Sequence, residues 1–353
     1  MDPEGPTRPG VASRPDHDAH PAGGPPPAVP EFRRFDDSGY PLGPEPRQFP
    51  AWPAIVVAIV GVFLLFVGLG ITGAVGIGQI PTTAAGTGRV LTLAGLGALI
   101  LGLVGGAVRS LSVRRRLPAT RYRGPAILLL FALVLVLGNT LSLPFASQLA
   151  GALLGEEQLP AGVAILVLVI TPIAFLVVTW LFVLLPRALE GLQLTDGPAT
   201  LRNFLKGLGY GIPMWIAAAL VSAVAAGIWT LVTGTPPVEE QAVVNLLGPL
   251  PLALLAAAVL APLAEELFFR GVVFNAWERE RGIRWAVTGS AVLFAAVHLL
   301  DGALLVFFPI LLVGLALASV YRRTRSLPTV FGMHAAFNSI SLLLAFFATQ
   351  AAP

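Results

Sequence analysis

The sequence predicts an all-α protein: a polytopic transmembrane helix bundle of about nine spans (eight to nine), preceded by a disordered N-terminal tail. Of the 353 residues, 56% are hydrophobic and only 12% are charged, and the mean hydropathy is +0.81. Globular domains carry about 25% charged residues, so this composition indicates a membrane protein. The basic residues of the loops also alternate, as described below, and only Arg89, at the edge of a span, falls on the outer side. Cysteine is absent, which excludes disulfides, Cys-ligated zinc, iron–sulfur clusters and thiol catalysis.

Residues 1–50 are rich in Pro and Gly, carry mixed charge and contain few large apolar side chains. Such a segment buries too little surface to offset the entropy of ordering, so we expect a disordered cytoplasmic tail. No basic stretch followed by an apolar one occurs near its start, so we expect no cleavable signal peptide. The remainder divides into N-terminal transmembrane helices, 51–200, and a C-terminal transmembrane core, 201–353, which carries the candidate site.

The spans are predicted from apolar length, since about 20 residues are needed to cross a bilayer. The seventh and eighth stretches are short and are separated only by Asp301 and Gly302. They form either two full spans or a hairpin of partly re-entrant helices. The predicted spans are 54–76, 88–108, 126–146, 161–185, 207–233, 249–276, 284–300, 303–321 and 328–348.

Loop charge predicts the orientation. Lys and Arg are absent from loops 77–87, 147–160, 234–248 and 301–302. They are concentrated in the alternate loops, 109–125, 186–206, 277–284 and 322–327. Because basic loops stay in the cytoplasm, we expect a multi-pass protein of the cell membrane with its N-terminus cytoplasmic and its C-terminus outside. The pI near 9.8 follows from this topology, so we expect no nucleic-acid partner.

The sixth span carries two adjacent carboxylates, Glu265 and Glu266, in an otherwise apolar stretch. A carboxylate inside a membrane costs at least about 2.5 to 3.5 kcal/mol, which makes it a candidate functional residue. Arg270 follows Glu266 by four residues, so the two can pair on one helix face and leave Glu265 to face another direction. Taken alone, such a pair is equally well explained as a salt bridge at the membrane edge.

Two histidines and an amide lie in the seventh and ninth spans: His298, His334 and Asn338. His334 and Asn338 share a helix face because they are four residues apart. Each histidine alone is more simply a buried, hydrogen-bonded residue. Together with the carboxylates, on three helices nearly free of other ionisable groups, they predict a chamber open to the cytoplasm, at depths of about 9 to 21 Å.

These residue types suit hydrolysis of a peptide bond. A glutamate in a low-dielectric chamber can act as a base on water, and a histidine can orient that water or bind a metal. The Asn338 amide and a second histidine can donate to the developing oxyanion. Alternatively, His298, His334 and Glu265 could hold Zn²⁺, which would activate its bound water. The sequence leaves the metal-dependent and the glutamate-only mechanism open.

The ordered motifs Glu-Glu-x-x-x-Arg, Phe-x-x-x-His and His-x-x-x-Asn resemble those of the CPBP family, which comprises type II CAAX prenyl proteases and bacteriocin-processing or Abi relatives. The resemblance covers about residues 200 to 348. It implies an intramembrane endopeptidase that cuts near the C-terminus or membrane anchor of a membrane-associated protein or peptide, lipidated substrates included. It also implies roles for six residues: Glu265 as catalytic glutamate, Glu266 and Arg270 as its supporting pair, and His298, His334 and Asn338 as water, metal or oxyanion contacts.

Other intramembrane protease classes lack their motifs here. No His-Glu-x-x-His occurs, no Gly-x-Ser-Gly lies in a span, and Asp301 is the sole aspartate near one. A non-catalytic alternative stays open: an immunity or scaffold protein, or a proton-coupled transporter that uses Glu265 and the histidines. A transporter would be expected to show an internal repeat, which the sequence does not display.

Overall fold

The computed structural model describes residues 52–76, 79, 81–145, 160–235, 250–298 and 304–351. The predicted disordered tail, 1–50, and the Asp301-Gly302 turn lie outside these residues. Within the part of the chain that is described, all regular elements are helices. The predicted all-α membrane bundle is therefore confirmed.

Nine helices follow one another in the described ranges, and seven of them are long and apolar enough to cross a membrane. The other two, α3 and α7, are 16 residues long. Several helices extend beyond the predicted spans because the helical conformation continues past the apolar stretch into polar residues. The helices are α1 Trp52–Gly76, α2 Ala85–Arg114, α3 Ile127–Ser142, α4 Ala161–Thr179, α5 Thr200–Thr233, α6 Leu250–Arg281, α7 Ile283–His298, α8 Leu304–Thr324 and α9 Leu327–Ala351.

Helices α1 and α2 form a hairpin whose backbones touch through glycine. A Cβ atom added at Gly61 would lie 2.4 Å from the Leu99 nitrogen, and one added at Gly95 would lie 2.4 Å from the Leu65 nitrogen. Any larger residue at these positions would force the helices apart, as in other small-residue contacts between membrane helices. Most of the large apolar side chains of α1 face outward and are exposed.

Helix α9, which carries His334 and Asn338, is held against α5 by the same kind of contact. A Cβ atom at Gly207 would lie 2.1 Å from the Thr329 carbonyl oxygen, and one at Gly211 would lie 2.5 Å from the Cβ atom of Ala336. This close approach fixes the position of α9 relative to the rest of the core.

An aromatic cluster surrounds the centre of α6. Phe268 and Phe269 are fully buried, and their rings lie 4.9 Å and 5.5 Å from that of Phe175 on α4. The Phe269 ring lies 5.3 Å from that of Phe294 on α7. These ring contacts, two of them edge-to-face, pack α4, α6 and α7 together around the candidate site.

The basic loops are tied to the helix ends by ion pairs. Arg325, between α8 and α9, binds both carboxylate oxygens of Glu278 at 2.5 and 2.6 Å. Arg123 contacts Glu190 at 3.0 Å, and Arg114 pairs with Glu280. Several arginines that mark the predicted cytoplasmic side therefore also connect neighbouring helices.

Candidate active site

The two carboxylates lie on a short regular stretch of an irregular helix. Within α6, the α-helical segment Ala261–Glu266 is flanked by two wider π-helical segments, Leu254–Leu260 and Leu267–Phe274. Pro262 stands near its start and has no N–H to donate to the preceding turn. Such widened turns in a helix are frequent at functional sites because they rotate the side chains that follow.

Glu266 contacts two of the other candidate residues, one on its own helix and one on α9. Its side chain is buried, and its Oε1 atom accepts a hydrogen bond from Arg270 Nη1 at 2.9 Å. The same oxygen lies 3.0 Å from Nδ1 of His334. Glu266 therefore joins α6 to α9, in addition to forming the ion pair with Arg270 that its spacing predicts.

Arg270 is fully buried and is satisfied on several sides. Its Nη2 atom donates to the Gly314 carbonyl of α8 at 3.1 Å. Its guanidinium carbon lies 4.7 Å from the centre of the Phe294 ring, a cation–π distance. A charge removed from water in this way is tolerated only when it is paired and hydrogen-bonded. The Glu266–Arg270 pair therefore lies in the protein interior, and a salt bridge at the membrane edge does not describe it.

His334 lies between the two glutamates. An ionised Glu266 can only accept, so the 3.0 Å contact places a hydrogen on Nδ1 of His334. The opposite nitrogen, Nε2, lies 4.0 Å from Oε2 of Glu265. The carboxylate of Glu266 thus fixes the orientation of the ring and directs Nε2 towards Glu265. The sequence contained no signal for this contact because the partners are 68 residues apart.

The two glutamates differ in their access to solvent. The Glu265 side chain is 15% exposed, whereas that of Glu266 is 2% exposed. Glu265 is therefore the more accessible of the two carboxylates. The role of Glu265 as catalytic glutamate, which the CPBP resemblance implies, stays a prediction.

The backbone contact of His298 lies within its own helix, whereas that of Asn338 joins two helices. His298, at the end of α7, has Nδ1 2.8 Å from the Phe294 carbonyl oxygen, and its ring packs on the Phe294 ring. Asn338 donates from Nδ2 to the backbone carbonyl of Ala257 on α6 at 2.7 Å. The Asn338 bond therefore joins α9 to α6, the helix that carries the carboxylates.

The candidate side chains are spaced too widely for a zinc site. Among the described residues, no three His, Asp or Glu side chains come close enough together to hold a metal ion. His334 already uses Nδ1 to contact Glu266. A catalytic zinc site needs three protein ligands, so the geometry of the described residues does not fit one. The zinc set of His298, His334 and Glu265 stays a prediction.

A cavity of about 660 Å³ adjoins Glu266. It lies between α4, α5, α6 and α9, and its walls are almost entirely apolar. No single stretch of the sequence predicts this cavity, because its walls come from segments far apart in the chain. Residues in its lining include Leu194, Leu201, Phe204, Leu263, Leu267 and Phe331.

The part of the chain that carries the candidate site is similar to known proteins. Residues 246–340 match the family described as "Type II CAAX prenyl endopeptidase Rce1-like". The Bacillus subtilis (strain 168) protein named "Putative membrane peptidase YdiL" is 26% identical over 152 residues, which are 41% of this chain and 61% of that protein. The chain thus spans less than two thirds of that relative's length, and no solved structure matches it. Residues 246–340, which include all six candidate site residues, are therefore similar to the Rce1-like type II CAAX prenyl endopeptidases.

Proposed function

We propose that this protein is an intramembrane endopeptidase that hydrolyses a peptide bond in a membrane-associated protein or peptide. The observation that carries the proposal is the arrangement of His334 between two unlike glutamates. Glu266 is buried and anchored by Arg270, while Glu265 is partly accessible 4.0 Å from His334 Nε2. Two carboxylates in different environments can take different roles in acid–base chemistry.

In the proposed reaction, Glu265 accepts a proton from water as the water oxygen attacks the carbonyl carbon of the substrate. The carbonyl π electrons move to its oxygen, which becomes an oxyanion. When the tetrahedral intermediate collapses, the C–N bond breaks and the proton held by Glu265 passes to the departing amine. Water is thereby divided between the new carboxyl group and the new amino group, and no other reactant is consumed.

The remaining residues would orient the attacking water and stabilise the oxyanion. His334, held at Nδ1 by Glu266, would present Nε2 to the attacking water or to the oxyanion. His298, whose Nδ1 contacts the Phe294 carbonyl, would present its other nitrogen to the same space. Preorganised donors of this kind contribute a large share of the rate because they need not reorganise during the reaction. Bound Zn²⁺ would supply a water of lower pKa, and chelation tests that alternative.

The proposed substrate carries an apolar chain near the scissile bond. The cavity beside Glu266 supports this because its walls are apolar and its volume of about 660 Å³ is in the range of small-molecule sites. A lipid attached to a protein C-terminus or membrane anchor fits such walls. A lipidated, membrane-associated protein or peptide is therefore the substrate class that we propose.

The test is hydrolysis of a quenched fluorescent peptide library with lipidated members by the purified protein in detergent. We expect Glu265→Gln to abolish cleavage. Glu190→Gln, which alters an exposed glutamate paired with Arg123, is the matched control and should cleave normally. Loss of cleavage with a chelator would indicate the metal-dependent mechanism. Equal cleavage by Glu265→Gln and the unmodified protein would contradict the proposed role of Glu265, and absence of cleavage would favour the non-catalytic alternative.

A further inference from the structure

The carbonyl oxygen of Ala257 loses its usual partners within α6. In a regular α-helix it would accept from the N–H of residue 261, but the Ala261 N–H bonds to Ala256 instead. In a π-helical turn it would accept from residue 262, which is proline and has no N–H. Pro262 and the widened turn before it therefore leave this carbonyl without its normal donor along the helix.

Asn338 supplies the missing donor from another helix. Its Nδ2 atom lies 2.7 Å from the Ala257 oxygen, a short hydrogen bond across the α6–α9 contact. The second π-helical segment has a comparable arrangement, in which Asn275 Nδ2 donates to the carbonyls of Arg270 and Gly271. Amide side chains thus bond backbone carbonyls in both irregular segments, on either side of the carboxylates.

The bond has a geometric consequence for the site. Ala257 lies in the widened turn, and Glu265 follows on the α-helical segment that begins at Ala261. The direction in which the Glu265 side chain projects from α6 therefore depends on the bond that holds the widened turn. Asn338 belongs to the same helix as His334, so its bond also fixes the register between His334 and the glutamates.

We propose that Asn338 is a positioning residue that replaces the donor removed by Pro262, and so sets the position of Glu265 relative to His334. The inference rests on the proposed peptidase function for its kinetic consequence, but the bond itself can be tested by stability alone. It predicts a specific coupling: restoring an N–H at position 262 should make the Asn338 amide dispensable. A role for Asn338 in contacting only the substrate oxyanion predicts no such coupling.

The experiment compares Asn338→Ala, Pro262→Ala and the double variant in the full-length protein in detergent. Asn338→Ala should lower the thermal unfolding midpoint and reduce kcat by about tenfold to a hundredfold with KM little changed, as expected when a buried carbonyl loses its donor. The double variant should recover most of both losses. Pro213→Ala combined with Asn338→Ala is the matched control, because Pro213 lies inside α5 and should give no recovery.

The outcomes separate this proposal from the proposed function. Recovery of stability and kcat by Pro262→Ala, without recovery by Pro213→Ala, would support the positioning role. A kcat loss that persists undiminished in the double variant would overturn it, even with stability restored. If the unmodified protein cleaves no peptide, recovery of the unfolding midpoint still decides whether Asn338 replaces the donor. Should Asn338→Ala not accumulate, Asn338→Leu removes the donor while keeping a similar side-chain size.

Discussion

Replacement of Arg270 by methionine should be the most damaging single change around the site. The side chain is fully buried and forms a 2.9 Å ion pair with Glu266 and a 3.1 Å hydrogen bond to the Gly314 carbonyl. Methionine fills similar space but leaves the Glu266 carboxylate buried without its cation. Removal of one partner of a buried ion pair costs about 3 to 5 kcal/mol.

The matched control is Arg325→Met. Arg325 forms an ion pair with Glu278 at 2.5 Å, shorter than that of Arg270, but its side chain is 49% exposed. Exposed pairs contribute at most about 1 kcal/mol because water competes for both charges. Burial, and not contact distance, therefore decides which arginine contributes more to the stability of the protein.

The assay is thermal unfolding of the purified protein in mild detergent. At about 2 °C per kcal/mol for a large domain, Arg270→Met should lower the midpoint by about 6 to 10 °C, and Arg325→Met by about 2 °C or less. Peptide cleavage, measured well below both midpoints, should fall for Arg270→Met because Glu266 no longer holds His334 in place. Equal midpoints for the two variants would refute the reasoning that the buried pair stabilises the core.

The remaining predictions concern the carboxylates, the helix contact and the cavity. Glu265→Gln should abolish cleavage without lowering the unfolding midpoint. Glu266→Gln should lower both cleavage and the midpoint, since it removes the ion-pair partner of the buried Arg270. Identical midpoints for the two variants would contradict these different roles. Gly211→Ala should destabilise the protein and slow cleavage because its Cβ would lie 2.5 Å from a neighbouring Cβ, whereas Gly209→Ala, with open space around it, should leave both unchanged. Leu201→Trp should fill the cavity and raise KM for lipidated peptides, with little effect on unlipidated ones; an equal effect on both would argue against the cavity as the lipid site.

Local features of the fold and site could be predicted from the sequence. The helices were predictable because each is encoded in a continuous apolar stretch. The Glu266–Arg270 pair was predictable because both partners lie on one helix, four residues apart. In both cases the information is contained in neighbouring residues.

Contacts between distant segments could not be predicted in this way. The bonds of His334 to Glu266 and of Asn338 to Ala257 join residues 68 and 81 positions apart. Their existence depends on the relative rotation of α6 and α9, which apolar length does not encode. The widened turns beside Pro262 rotate α6 further, so a regular helix would not have given the observed geometry. The predicted orientation in the membrane and the zinc ligands stay predictions.

The glycine contact between α1 and α2 bears on the order in which the protein assembles during synthesis. The two helices are adjacent in the chain, and Gly61 and Gly95 form part of the seam between them. Because this seam needs no later residue, the hairpin can close in the membrane as soon as α2 leaves the ribosome. The helices that bear the carboxylates and histidines would then insert beside a pair that is already formed. A glycine substitution in this hairpin should therefore reduce the yield of inserted protein more than the turnover number of the molecules that fold.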